Sequence, residues 1–74
     1  MNKVASFTYY GETTDKDREV RLRHNLDGTY TVDIEGMLAL TQTVRDRDKA
    51  EEILRGWWGM AWKDWGASEM VWNE

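Results

Sequence analysis

Apolar and polar residues alternate along three segments in the first half of the chain. An apolar side chain at every second position is typical of a strand that buries one face. The alternating apolar positions are Ala5, Phe7, Tyr9, Val20, Leu22, Tyr30, Val32 and Ile34. The pattern predicts strands over residues 3–10, 18–24 and 29–35, with their apolar side chains on one side of a sheet.

The segment NLDG between the second and third strands predicts a tight hairpin. A type I turn followed by a left-handed residue favours Asn or Asp early and glycine at the left-handed position, which is Gly28 here. Closing the turn with Asn25 opposite Thr29 places Leu22 opposite Val32. Apolar residues then meet on the same face, so the turn and the hydrophobic pattern agree on the register.

The same criterion predicts how the first two strands pair. Placing Gly11 opposite Arg18 leaves the six-residue loop ETTDKD between them. Tyr9 then lies opposite Val20, again with apolar residues facing each other.

A fourth strand is predicted over residues 37–44, MLALTQTV, directly after Gly36. Leu38 and Leu40 are expected to point inward, because they lie two residues apart on one face of a strand. Gly36 fits a tight turn, a bulge or a wider connection, and the sequence leaves these alternatives open.

The period of the apolar residues changes after Val44. Apolar side chains recur at spacings of three and four residues, which is typical of a helix that buries one side. These positions are Ala50, Ile53, Leu54, Trp57, Trp58, Ala61, Trp62 and Trp65. Either Asp46 or Asp48 is a suitable N-cap, the latter with Glu51 three residues on as a capping box, and Gly66 is a suitable end.

Together these elements predict a single α+β domain over residues 1–74. Four strands form an antiparallel meander, and one long C-terminal helix covers one of its faces, in the order ββββα. The short tail after the helix contains Met70, Val71 and Trp72, and we expect it to fold back onto the domain.

Tryptophan is unusually frequent, with five residues in 74. A domain this small has little buried surface, and each buried indole removes roughly 150–250 Å² from water. We therefore expect Trp58, Trp62 and Trp65 to fill the core. Trp57 lies at one margin of the apolar arc and Trp72 lies in the tail, so these two are the candidate surface anchors for a partner.

Gly56 and Gly59 fall on the side of the helix opposite the apolar arc. Glycine at such a position costs roughly 1 kcal/mol relative to alanine, so another factor is expected to require it. The sequence allows a break or bend of the helix near Gly56, or the close approach of a second copy along Gly56, Gly59, Met60 and Lys63. Solvent-facing glycine with no role is the third alternative.

Composition narrows the possible functions. The chain has no cysteine, which removes disulfides, thiol nucleophiles and cysteine zinc sites, and His24 is its only histidine. No nucleophile or phosphate-binding motif accompanies that histidine, so we expect neither catalysis nor a cofactor or metal. No apolar segment has the length of a signal peptide or a membrane helix, so the expected location is cytoplasmic.

Charge directs the functional hypothesis toward a basic partner. The net charge is -4, and a nucleic-acid-binding protein usually carries the opposite sign. In size, acidity and lack of catalytic residues the chain resembles the small inhibitors encoded by phages and mobile elements, including anti-CRISPR proteins. That resemblance implies a protein-binding inhibitor that engages the basic surface of a nucleic-acid-processing enzyme. The residues themselves offer two groups of carboxylates for such a contact, Glu12, Asp15, Asp17 and Glu19 in the first hairpin and Asp46, Asp48, Glu51 and Glu52 at the start of the helix.

Two alternatives use other surfaces. The uncovered face of the sheet presents Tyr10, Arg21 and Arg23, which are suited to binding a single-stranded nucleic acid by stacking and charge. The second alternative is a structural homodimer with no further ligand, formed along the glycine side of the helix. No motif in the chain decides between these functions.

Overall fold

The computed structural model describes residues 2–11 and 16–74 of the chain. One antiparallel sheet carries a single long helix on one face. Its strands and helix are β1 (Asn2–Gly11), β2 (Lys16–His24), β3 (Tyr30–Ile34), β4 (Gln42–Val44), α1 (Arg47–Trp65) and β5 (Val71–Trp72). The predicted α+β fold with a helix packed on an antiparallel meander is confirmed.

A fifth strand extends the meander, so that the strand order across the sheet is β4-β3-β2-β1-β5. The tail supplies it, with Val71 opposite Ser6 and Trp72 opposite Ala5. The backbone N–H of Ser68 also donates to the carbonyl of β1 residue Thr8, 2.7 Å away. The tail therefore folds back as predicted, and it covers part of the edge that β1 would otherwise expose.

The β2–β3 hairpin has the predicted register. Leu22 lies opposite Val32, and the backbone N–H of Asn25 donates to the carbonyl of Thr29 at 2.8 Å. Gly28 has a φ of 89°, the left-handed conformation that the turn requires. The local turn chemistry and the hydrophobic pattern act together here, which is why the sequence determines this hairpin.

The predicted register of β1 and β2 is wrong by two residues. Phe7 lies opposite Val20 and Tyr9 opposite Arg18, so that Gly11 pairs with Lys16. From Ala5 to Gly11, a shift of two residues keeps every side chain on its original face, and the hydrophobic pattern therefore cannot distinguish the two registers. Between Lys3 and Ala5 the register of β1 shifts by one further residue. The observed pairing adds ladder contacts and shortens the connection between the strands.

The predicted fourth strand is also wrong in its first half. Gly36, with a φ of 78°, forms a turn in which the N–H of Met37 donates to the carbonyl of Ile34 at 3.0 Å. A short 3-10 helix, Leu38–Leu40, follows, and only Gln42–Val44 pair as β4. Leu38 is consequently 82% exposed and Leu40 44% exposed, instead of both pointing inward.

The core lies between the apolar face of the sheet and α1. Its buried apolar residues are Val4, Ala5, Phe7, Tyr9, Val20, Leu22, Val32, Ile34, Ala50, Leu54, Ala61 and Ala67. The helix contributes mainly small side chains to this set, which allows its backbone to lie close to the sheet.

The prediction of a tryptophan-filled core is wrong for two of the three residues. Trp62 is 55% exposed and Trp65 is 42% exposed, whereas Trp58 is partly buried against the core. The line along which α1 touches the sheet is occupied by Ala50, Leu54 and Ala61. The indole rings are too large for that line and lie along its sides.

The ends of α1 follow the predicted capping chemistry in part. Asp46 is the N-cap, and its carboxylate accepts a hydrogen bond from the N–H of Asp48 at 3.0 Å. The alternative cap at Asp48, with its capping box to Glu51, does not form. The helix ends at Gly66 in the left-handed conformation, as expected. It continues without a break through Gly56, so a break is excluded among the alternatives that the sequence left open for this glycine.

Candidate functional site

An open apolar cleft lies between the C-terminal half of α1 and the sheet, toward the Gly11 end of β1. Its volume is about 320 Å³. The floor consists of core residues, namely Phe7, Val20, Ile34 and Ala61. The cleft is therefore a gap that reaches the hydrophobic core from the surface.

Residues from two elements form the walls of the cleft. The helix contributes Trp57, Met60 and Trp65, whose spacing places them along one side of α1 next to Ala61. The connection between β3 and β4 contributes Met37 and Leu40. We call these five residues the cleft rim.

The cleft rim is substantially open to solvent. Met37 is 38% exposed, Leu40 44%, Trp65 42% and Met60 54%, and Trp57 is partly buried. The gap exists because residues 37–41 form a turn and a short 3-10 helix, whereas a full-length fourth strand would have continued the sheet beneath α1. A contiguous exposed apolar surface of this kind on a small domain is typical of an interaction site.

Few polar groups enter the cleft. The hydroxyl of Tyr9 donates a weak hydrogen bond to Sδ of Met37 at 3.7 Å, and its ring lies 5.6 Å from that of Trp65. Gln42 is the other polar residue of the lining. Its side-chain amide makes no hydrogen bond to any residue that the structure describes. The cleft thus recognises shape and apolar surface, with few hydrogen-bonding groups to fix an orientation.

One carboxylate adjoins the cleft rim. Asp64 lies one turn beyond Met60 on the same side of α1. Glu35 follows the floor residue Ile34, so its side chain points to the opposite face of the sheet. Both residues are exposed, and within residues 2–11 and 16–74 neither forms an ion pair. The nearby Arg18 donates its Nη1 to the carbonyl oxygen of Glu35, 2.7 Å away. The pKa of Arg21 is raised mainly by its hydrogen bond to Asp33 and also by the charge of Glu35, so the carboxylate of Glu35 faces a cation.

The carboxylates predicted at the helix start are largely engaged within the chain. Asp46 caps the helix, while Glu51 lies 2.8 Å from Nε of Arg47 and 3.6 Å from Nη2 of Arg55. The Glu51 carboxylate raises the pKa of Arg47 by accepting its hydrogen bond. Glu52 lies 3.8 Å from Lys49 in a solvent-exposed pair. Asp48 and Glu52 are therefore the members of this group most open to a partner.

The other predicted acidic group is only partly described. Glu12 and Asp15 lie outside the described residues. Asp17 is exposed at the start of β2, whereas Glu19 lies 2.9 Å from Nζ of Lys3 and 3.9 Å from Nη1 of Arg21. Glu19 therefore belongs to a charge network on the sheet, whereas Asp17 is exposed to solvent.

The predicted sheet-face site is not assembled as a single patch. Nη2 of Arg21 donates a hydrogen bond to Oδ2 of Asp33 at 2.8 Å. Nη2 of Arg23 lies 3.4 Å from Oδ1 of Asp33, and this ion pair includes no hydrogen bond. Asp33 is only 4% exposed, so it offsets much of the positive charge of both arginines. Arg21 lies opposite Ser6 of β1. Tyr10 is four residues further along the same strand, which is a distance of roughly 13 Å.

Gly56 and Gly59 are exposed, and a Cβ added at either would meet no neighbouring atom within 4 Å. No contact inside the described chain therefore explains them. Lys63 is exposed on α1, whereas Met60 belongs to the cleft rim.

Of the two tryptophans predicted as anchors, Trp57 lines the cleft. Trp72 is 39% exposed and lies on the other side of α1, where the guanidinium of Arg55 is 5.0 Å from its ring. Sequence reasoning missed Met37 and Leu40 because it assigned this apolar run to a buried strand. The signal that pointed to them was the glycine turn immediately before an apolar segment.

No known protein family, curated protein or solved structure matches the chain. Within the described residues, no helix is both long and apolar enough to cross a membrane.

Proposed function

We propose that this chain is a protein-binding module that contacts its partner through the apolar cleft. The observation that carries this proposal is the exposed cleft rim around an opening that reaches the core. Exposed apolar surface contributes nothing to folding, whereas its burial against a partner stabilises a complex by roughly 25 cal/mol per Å². Met and Trp are also among the residues that protein interfaces favour.

The shape of the cleft supports a contact centred on one partner side chain. Binding energy in protein interfaces concentrates in a few residues that insert into well-packed pockets near the centre of the contact. The floor formed by Phe7, Val20 and Ile34 is already packed against the rest of the core. A side chain that enters the cleft would therefore meet preorganised walls, which lowers the entropic cost of binding.

The acidic character of the chain supports a basic partner surface. Exposed charge in association usually accelerates encounter and fixes orientation. The exposed carboxylates that would act in this way are Asp17, Asp48, Glu52 and Asp64. An inhibitor that blocks a basic, nucleic-acid-binding surface of an enzyme in the cytoplasm is the specific form of the proposal. The lack of cysteine supports a reducing compartment.

The two alternative functions have weaker support. A nucleic-acid site on the sheet face would rely on Arg21 and Arg23, and Asp33 lies against both of them. A homodimer would join copies of an acidic chain along Gly56 and Gly59, where nothing in one copy indicates a complementary surface. Oligonucleotide binding tests the first alternative, and sedimentation tests the second.

The test is affinity capture with matched variants of the intact chain. We expect the double substitution Leu40→Glu and Met60→Glu to abolish partner binding, because it places two charges at the cleft rim. Leu26→Glu is the control. Leu26 is 94% exposed in the hairpin loop at the other end of the sheet, so its substitution introduces the same chemistry away from the cleft.

Captured proteins are quantified by mass spectrometry, and urea unfolding verifies that each variant folds. Partner proteins retained by wild type and Leu26→Glu but lost by the cleft variant would support the proposal. Equal capture by all three proteins would refute it. Oligonucleotide binding that Arg21→Ala abolishes would instead favour the sheet-face alternative.

A further inference from the structure

A strongly exposed leucine lies beside the cleft. Leu38 begins the short 3-10 helix Leu38–Leu40 and is 82% exposed. Its neighbours Met37 and Leu40 belong to the cleft rim, whereas Leu38 does not line the cleft. Residues two apart in a 3-10 helix point about 120° away from each other. Leu40 therefore faces the cleft of its own chain, and Leu38 projects beside it as an apolar knob.

The cleft has the size and the chemistry to receive such a side chain. Truncation of one core leucine can leave an apolar cavity of about 150 Å³. The cleft, at about 320 Å³, is larger, and the flexible side chains of Met37 and Met60 can adapt to the remaining space. Among the described residues, the lining includes no charged side chain. A leucine that enters the cleft therefore buries no charge.

The knob and the cleft lie side by side on one face of the molecule. A two-fold axis between them would bring Leu38 of each copy to the cleft of the other, so that both contacts form at once. This arrangement is closed after two copies. A knob that met the cleft through a different rotation would leave open ends and lead to filaments.

The exposed apolar surface on this face is large enough for a dimer. From their exposed fractions, Met37, Leu38, Leu40, Met60 and Trp65 offer roughly 500–600 Å² per copy, or about 1,000–1,200 Å² for two copies. A specific interface needs at least about 1,000 Å². The contact surface is also about a tenth of the accessible surface of the chain, 4869 Å², which is usual for a small protein. An interface at this lower limit predicts a dimer that dissociates readily.

We infer that, when no partner is bound, two copies of the chain pair across this face, each with its Leu38 in the cleft of the other. The inference goes beyond the proposed function, because it identifies what covers the cleft in the free protein. The second copy and the partner then compete for the same apolar surface. The dimer protects the cleft from solvent until a partner displaces one copy.

Net charge gives this dimer a characteristic dependence on salt. Each copy carries a charge of -4, so two copies repel each other at low ionic strength. Salt screens this repulsion, whereas the contact itself is apolar. The dimer should therefore become more stable as salt is added. Capture of a basic partner should weaken under the same conditions.

Sedimentation of the intact chain from micromolar to millimolar concentration measures the association. We expect wild type to pass from monomer to dimer over this range. Leu38→Glu should raise the dissociation constant of the dimer at least about a hundredfold, because the two-fold symmetry introduces the buried charge twice. Leu26→Glu is the matched control. Leu26 is 94% exposed at the other end of the sheet, and its substitution should leave the dissociation constant unchanged.

NMR locates the contact without depending on the folding of a variant. In a mixture of isotope-labelled and unlabelled wild type, isotope-filtered NOEs report contacts between copies alone. We expect them between the methyl groups of Leu38 and the side chains of Met60 and Trp57 in the cleft. The methyl group of Met70, which packs against the core from the tail, should show none.

A wild type that stays monomeric up to millimolar concentration would overturn the inference. A dimer that Leu38→Glu leaves intact, that added salt weakens, or that the alanine substitutions at Gly56 and Gly59 disrupt would do the same. These measurements need no partner, so the proposed function fails separately, when capture of partner proteins is insensitive to the cleft variant. A monomeric wild type with cleft-dependent capture would reject this inference alone.

Discussion

Nη2 of Arg21 lies 2.8 Å from Oδ2 of Asp33 across the β2–β3 ladder, at the register that the sequence predicts. Asp33 is almost fully buried although its face of the sheet carries no helix, because the side chains of Arg21 and Arg23 lie against it. The hydrogen bond to Asp33 raises the pKa of Arg21. The pair stabilises the hairpin and at the same time reduces the positive charge available to a ligand on this face.

Asp33→Asn should reduce the free energy of unfolding by about 1–3 kcal/mol. The amide keeps the shape of the side chain but removes the negative charge that both arginines face. Urea unfolding measures the change. Glu69→Gln, an exposed residue of the tail, is the control for the loss of one charge and should alter stability by less than about 0.5 kcal/mol. Equal effects of the two substitutions would show that the Asp33 pairs add no stability.

Leu54→Ala should destabilise the domain far more than Trp62→Ala. Leu54 is the α1 residue that is fully buried against the sheet, and truncation of such a side chain to alanine typically costs about 2–5 kcal/mol. Trp62 is more than half exposed and contacts Trp58 at a ring distance of 5.3 Å, so its loss should cost about 1 kcal/mol or less. Thermal unfolding followed by circular dichroism compares the two, and a larger effect at Trp62 would contradict the described packing.

Gly56→Ala and Gly59→Ala together should stabilise the monomer by about 1–2 kcal/mol. Both positions are helical, and an added Cβ meets only open space. Gly36→Ala is the contrasting substitution, because Gly36 has a φ of 78° and a Cβ there would clash with the guanidinium of Arg18. It should destabilise the domain. Sedimentation of wild type and the double variant tests the dimer: a dimer that the alanines disrupt would assign the glycines an intermolecular role.

The elements that could be predicted from the sequence are those where two independent signals agree. The β2–β3 hairpin combines a glycine turn with matching apolar faces, and α1 combines a helical period with Asp46 and Gly66 at its ends. The β1–β2 register had only the hydrophobic period to determine it. Since that period is two residues, a shift of two residues was invisible.

The candidate site was harder to predict because it depends on how closely α1 approaches the sheet, as well as on which side of the helix each residue lies. A helical wheel shows that Trp62 and Trp65 lie toward the sheet side of α1, but it does not show how closely the backbone approaches the sheet. The small residues Ala50 and Ala61 determine that distance, and the indoles remain at the sides. Likewise, the run around Leu38 was apolar enough to suggest a strand, although Gly36 directs it into a turn.

Asp46→Ala should destabilise the domain by about 0.5–2 kcal/mol, because it removes the carboxylate that caps α1. Asp48 lies two residues later, at the second helical position, where its carboxylate makes only the weaker interaction with the helix dipole. Asp48→Ala should cost about 0.3–1 kcal/mol. Urea unfolding at low salt measures both. A greater loss at Asp48 would indicate that the alternative cap, with its capping box to Glu51, operates in solution.

Asp27 should make part of the stability dependent on pH. Its carboxylate accepts hydrogen bonds from the hydroxyl of Thr29 at 2.6 Å and from its backbone N–H at 3.0 Å. The side-chain bond, and after it the backbone bond, lower the pKa of Asp27 in the folded chain. A folded pKa below the unfolded one means that the stabilisation is fully present above the unfolded pKa, near pH 4, and is lost as the pH falls through the folded pKa.

We therefore expect Asp27→Asn to lower the free energy of unfolding at pH 7 and the difference from wild type to shrink steadily below about pH 4. Urea unfolding between neutral and acidic pH measures that difference. Thr29→Ser keeps the hydroxyl and should preserve the pH dependence of wild type, whereas Thr29→Val removes the larger of the two causes and should weaken it. If the free energies of unfolding of wild type and Asp27→Asn differed by the same amount over the whole pH range, the hydrogen bonds would stabilise the turn independently of the charge on Asp27.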